Sequence, residues 1–177
     1  MKVHFTKVGY FVISLALLSL LSNAPANAQA VEATFQNVSA NLTSPEQIAR
    51  YIFRNFAYET DQTQFGSEEH WQAPEELMAN RKGDCEDFAL FASEILKANG
   101  ISSFLVNVYG KNFAHTLCVF KEDGKFHVID GKEVKRYNAS SLDELFSKIY
   151  PRWNSAALVG FSSEKSCGRV LKTFQKN

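Results

Sequence analysis

Cys85, His115 and Asp130 are, in chain order, a thiol nucleophile, a base and an acid, and the neighbours of each give it a defined seat. Asp84 precedes a run in which Cys85, Phe88, Ala89, Ala92, Ile95 and Leu96 recur at helical spacing, so Asp84 reads as the N-cap and Cys85 as a first-turn residue. Free backbone N–H groups and the helix dipole favour a thiolate there. Burial of the stripe and the adjacent carboxylates of Glu86 and Asp87 act the other way, so a nearby imidazolium is needed to decide the balance.

Elimination selects that imidazole. His4 falls in an N-terminal export segment and His70 in a long polar loop, which leaves His115 and His127 on two strand-like runs. Those runs flank Lys121-Glu122-Asp123-Gly124-Lys125, and Asp-Gly is a strong hairpin signal. An even-length turn centred on Asp123-Gly124 sets Asp130 opposite Leu117. His115 and Asp130 are then diagonal neighbours on one face, and His127 points to the other. Nucleophile, base and orienting acid would together form and break an acyl–sulfur bond. Each also has an ordinary reading: a small buried thiol, a satisfied strand histidine, a turn-forming aspartate.

The elements that must hold these residues read as an α+β domain, with helices first and an antiparallel meander after them. Ser44-Pro45-Glu46-Gln47 opens a helix with the stripe Ile48, Tyr51, Ile52, Phe56. Thr60–Gln72 is a long polar loop, Pro74 starts a short helix to about Asn80, and the Asp84-capped helix ends at Lys97–Asn99 before Gly100. Strands are expected over Ser103–Tyr109, His115–Phe120, Phe126–Asp130 and Ala156–Phe161, with a helix over Ser141–Ile149.

The chain has 177 residues, 45% of them hydrophobic, enough for one domain with a core. Its 19 basic and 19 acidic side chains balance, which gives no electrostatic reason to propose a nucleic-acid partner. Lys2 and Lys7, the apolar run Val8–Leu21 and Ala26-Asn27-Ala28 form an export signal pattern. The expected organisation is a signal over 1–28 cleaved near Ala28, a flexible leader over 29–43 and a domain over 44–177. The product would be periplasmic or secreted, with membrane contact only through the precursor's signal. An oxidising compartment would let Cys118 and Cys167 pair and leave Cys85 free. No Cys-x-x-Cys pair, His-Glu-x-x-His, Gly-rich phosphate loop or Gly-x-Ser-x-Gly elbow is present.

Trp71, Pro74, Glu76, Gly83-Asp84-Cys85-Glu86-Asp87-Phe88-Ala89, Ala114-His115 and Ile129-Asp130 resemble the transglutaminase-like superfamily. Tyr58, Asp61 and Phe65-Gly66 make the resemblance strongest to its bacterial cysteine peptidases. The resemblance implies a papain-like fold in which Cys85 is the nucleophile, His115 the base and general acid, and Asp130 the residue fixing the His tautomer. The oxyanion would be held by the Cys85 backbone N–H and one further donor, for which Trp71 and Gln72 are candidates; Trp71 as a cleft wall is the alternative.

Some members of that branch are periplasmic, calcium-dependent proteases, and Asp84, Glu86 and Asp87 match their acidic residues. The same three carboxylates serve as helix caps without a metal, and this is the preferred reading, because spacing identifies no further acidic ligand and the sequence requires no cofactor. Gly131 stands where Asn often follows the Asp. The expected activity is hydrolysis of a peptide or amide bond, on a protein or peptide substrate such as an envelope or cell-surface protein. The rivals are acyl transfer to an amine by the same triad and a catalytically idle binding module.

Overall fold

The computed structural model describes residues 35–163, 165 and 167–176. The segment 1–28 read as an export signal lies outside them. Among the described residues, no helix is long and apolar enough to cross a membrane.

Six helices and eight strands are described. The helices are α1 (35–41), α2 (Pro45–Asn55), α3 (Asp61–Gln64), α4 (Pro74–Asn80), α5 (Cys85–Ala98) and α6 (Leu142–Ile149). Strands β1 (Ala57–Tyr58) and β2 (Lys82–Gly83) form a small parallel pair. The remaining strands are β3 (Ser103–Gly110), β4 (Phe113–Glu122), β5 (Lys125–Asp130), β6 (Glu133–Ala139), β7 (Trp153–Ser162) and β8 (Cys167–Gln175). They make one six-stranded antiparallel sheet in the order β6-β5-β4-β3-β7-β8.

The sheet has an apolar layer on each face because its strands alternate. Leu105, Cys118, Phe120, Ile129, Ala157 and Val159 pack with α2 and α5. Val106, Val108, Leu117, Val119 and Val128 pack with Leu145 and Phe146 of α6. α5 is the central helix: Phe88, Leu90, Phe91, Ile95 and Leu96 are all buried, so it is enclosed on nearly every side.

Local chemistry sets the helix starts. Ser44 and Gln47 close a capping box at α2, with Pro45 in its first turn. At α5 the Asp87 carboxylate reaches back to the Asp84 N–H, 3.1 Å away. Gly83 before it cannot carry a side chain, since a Cβ there would lie 2.6 Å from Asp87 Oδ2 and 2.7 Å from Leu77 Cδ1. The Gly83-Asp84-Cys85-Glu86-Asp87 motif is thus one packed unit.

Two expectations are corrected. The leader assigned to 29–43 is helical over 35–41, and its Phe35, Val38 and Leu42 pack on the α2–α5 core. Cys118 and Cys167 do not pair: Cys118 is buried on β4 and Cys167 sits on β8. Two strands lie between them. Three sheet spacings come to about 14 Å, twice the roughly 7 Å limit between bridged Cα atoms.

Candidate active site

Strand β5 pairs with β4 from Glu122–Lys125 up to Cys118–Ile129, each pair as the Asp-Gly turn requires. β4 runs on to Phe113, paired there with β3 on one side. The first turn of α5 meets this extension of β4, with Cys85 and Thr116 lining the same cleft. Cys85, His115, Thr116, Asn107 and Tyr109 line one cleft of about 270 Å³, together with the carboxylates of Asp61, Glu68, Glu69, Asp84 and Glu86. The cleft wall is therefore acidic around the thiol.

His115 and Asp130 meet across the hairpin, with Nε2 and Oδ1 2.7 Å apart. Asp130 also accepts from Lys135 Nζ through Oδ2 at 2.6 Å. Burial raises the Asp130 carboxyl, but the hydrogen bonds and charges of His115 and Lys135 outweigh it and hold the group at about 2. Asp130 is thus ionised and can only accept, which puts a proton on His115 Nε2, so that Nδ1 is the bare nitrogen of the neutral imidazole. Tyr150, at the end of α6, stands edge-on to the His115 ring with centroids 6.3 Å apart. His127 is buried against Phe120 and is not in the cleft lining.

The thiol is paired with a carboxylate. Cys85 Sγ donates to Glu86 Oε2 at 3.0 Å. Burial, the Glu86 charge and this hydrogen bond push the thiol up, and only the Thr116 N–H works the other way. Glu86 itself is raised to about 8 by burial and by the neighbouring Asp84.

Neither sequence-derived oxyanion candidate lines the cleft. Gln72 is fully buried, and its Nε2 donates to Lys82 O at 2.9 Å and to Asp87 Oδ2 at 2.7 Å, so both its amide protons are committed. Trp71 donates its indole N–H to Glu69 at 3.1 Å and stacks on Phe161. A different donor is at hand. Thr116 Oγ1 donates to Asn107, whose Nδ2 donates to the Tyr109 hydroxyl at 3.2 Å, leaving the Tyr109 hydroxyl proton uncommitted in the cleft lining.

The acidic group is rearranged as well. Asp87 accepts from Gln72 N at 2.8 Å, from Gln72 Nε2 and from Asp84 N, so its oxygens are occupied in structure. Asp61, which sequence reasoning left without a role, is buried beside Asp84 and Asp87, with ligand oxygens of the three within 4.8 Å of one another. Asp61 Oδ1 and Asp84 Oδ1 are buried without a hydrogen-bond partner. Sequence reasoning also passed over Lys135. The Asp130–Glu133 pairing around Gly131-Lys132 places it diagonal to Asp130, and a two-residue turn was the available signal. Gly131 has φ 53°, a left-handed conformation that Gly and Asn both tolerate. The residue types seen at that place in the resemblance share this property.

No curated protein matches the chain. Among solved structures, calcium-bound LapG of Legionella pneumophila superposes with a TM-score of 0.52 at 20% identity, covering 78% of this chain and 77% of that one. The EGTA-treated form of the same protein gives 0.52 at 19% identity, covering 75% and 76%. At this identity the likeness is one of fold. Residues 26–146 match the family described as transglutaminase-like domain, and the chain belongs to that family.

Proposed function

We propose that this protein is an exported cysteine hydrolase that cleaves a peptide or amide bond through an acyl-enzyme on Cys85. The observation that carries the reading is the His115–Asp130 pair, 2.7 Å apart, in a cleft whose lining includes both His115 and the Cys85 thiol. In this mechanism Cys85 turns from Glu86 toward His115, and Nδ1 takes the thiol proton. The sulfur attacks the carbonyl carbon and the C–N electron pair leaves on nitrogen, protonated by the His115 imidazolium. Water then gives its proton to His115 and displaces the thiol, releasing a carboxylic acid. The Cys85 backbone N–H at the α5 N-terminus, where the helix dipole is positive, faces the developing oxyanion, and Tyr109 supplies the second donor. The N-terminal signal pattern supports export, and hence an envelope or cell-surface protein as substrate.

Mass spectrometry of a peptide amide incubated with the protein in H₂¹⁸O, with and without a primary amine, tests this. Hydrolysis puts ¹⁸O into the new carboxylate. Amine incorporation that outpaces ¹⁸O uptake assigns acyl transfer instead. Failure of both, with Cys85 unreactive to iodoacetamide until the protein unfolds, assigns a binding module.

The residues around the thiol also fit a hard divalent cation, because two buried carboxylate oxygens lack any partner. Asp61 and Asp84, which carry those two oxygens, would hold Ca²⁺, and a bound Ca²⁺ would offset the negative charge of the cleft wall beside the thiol. Millimolar calcium is therefore expected to raise the melting temperature above its value in EGTA. Asp61→Asn is expected to abolish that rise, by differential scanning fluorimetry. An equal rise in the variant would rule Asp61 out as a ligand.

A further inference from the structure

Asp130 ends the middle one of three consecutive strands, and it has one diagonal neighbour on each side. The β4–β5 register puts His115 two positions beyond the residue opposite Asp130. The β5–β6 register pairs Lys135 with Val128 and Glu133 with Asp130, so Lys135 is likewise displaced by two positions on the same face. The carboxylate spans the pair, Oδ1 on His115 Nε2 at 2.7 Å and Oδ2 on Lys135 Nζ at 2.6 Å. A carboxylate held through one oxygen can swing about its terminal bond, whereas one held from both flanking strands has its plane fixed. The Asp130 side chain is 16% exposed and that of Lys135 is 38% exposed. A pair with one partner that open adds little to stability, so orientation is the larger effect.

We propose that Lys135 is a positioning residue of this site, holding the second oxygen of Asp130 so that the first stays aligned on His115 Nε2 and the imidazole presents bare Nδ1 to the thiol. The inference rests on the reading of Cys85 and His115 as nucleophile and base. The ammonium does two things for the carboxylate. It supplies a donor from the strand opposite His115, and it keeps the group an anion that can only accept. The second strut explains how a residue at a strand end, next to a glycine turn, keeps a fixed direction.

The experiment is ¹⁵N NMR of the His115 imidazole at pH 7.5 in the wild type, Lys135→Met and Lys135→Arg, alongside amide cleavage rates. The wild type is expected to show the Nε2–H tautomer. Lys135→Met is expected to show a tautomer mixture and a rate lower by about tenfold, the low end of what losing a group that orients a ligand or catalytic histidine costs. The loss should fall in kcat rather than KM. Lys135→Arg, which preserves a donor and a charge, is expected to restore the Nε2–H form. A wild-type tautomer signature in Lys135→Met overturns the proposal, as does a lower melting temperature there without a tautomer change. Failure of the underlying reading looks different: wild-type Cys85 would react with iodoacetamide at the same rate with and without His115→Ala, whatever the imidazole tautomer.

Discussion

Cys85→Ala is expected to lower amide cleavage by on the order of a million-fold, and His115→Ala to do so by as much, with the double variant no slower than either single one. The non-additivity follows from what each group does. In the proposed mechanism the sulfur has no covalent step without a base, because as a thiol donating to Glu86 Oε2 at 3.0 Å it keeps its proton until a base takes it. The base has nothing to deprotonate without the sulfur. The oxyanion donors and the cleft remain in all three variants, so the residual rate should be equal and above that of water. Folding should be nearly indifferent. The His115 side chain is 29% exposed and bonded only to Asp130, and Cys85 contributes one sulfur to a partly open cleft. Initial-rate kinetics and thermal melts on the three variants measure both halves. A His115→Ala rate within tenfold of wild type would remove His115 from the role of base. A fall of many degrees in its melting temperature would make it a structural residue.

Asp87→Ala is expected to have the largest effect on stability, although Asp87 touches no reacting group. The side chain is fully buried and accepts three hydrogen bonds: from Gln72 N at 2.8 Å, Gln72 Nε2 at 2.7 Å and Asp84 N at 3.1 Å. Burial pushes its carboxyl up to about 7, yet those donors oppose the shift. Alanine leaves the Gln72 and Asp84 backbone N–H groups buried and unpaired at about 1–3 kcal/mol each, plus a cavity, for a total of about 4 kcal/mol. For a chain of this length that lowers the melting temperature by roughly 10 °C. Asp87→Asn keeps the volume and one acceptor oxygen but turns an N–H₂ toward donors, so it should fall between wild type and alanine. Urea unfolding of the pair gives the ranking. A loss under 1 kcal/mol in Asp87→Ala would mean that water replaces the carboxylate.

These two residues show how far the sequence can be read. The seat of Cys85, the helix behind it and the hairpin register were legible because each has a local signal: a cap residue, an apolar stripe, an Asp-Gly turn. The structural work of Asp87 and Gln72 was not, since they are 15 residues apart and meet only through tertiary packing. β6 and β8 were missed for a related reason. Both are edge strands, and Glu133–Ala139 and Cys167–Gln175 mix charged and apolar residues without the alternation that one buried face imposes. β6 matters most, because Lys135 came with it. Helix 35–41 was hidden by its polar composition, in which Phe35 and Val38, with Leu42 just beyond its end, are the large apolar residues that mark the packed side.

The split origin of the site has a consequence for the order in which activity is gained. His115, Asp130 and Lys135 sit on a meander whose successive strands are joined by tight turns, and such contacts close short loops at small entropic cost. The sulfur comes from an earlier stretch of chain and reaches β4 only when α5 docks on the sheet. A chain with the meander alone would hold base, acid and strut but no nucleophile. A chain with α5 alone would hold a thiol with no base. The proposed acyl chemistry would therefore belong to the finished tertiary structure and to neither half. On the proposed reading, a nascent or locally opened molecule would stay silent toward acyl chemistry, which would spare its neighbours from premature cleavage.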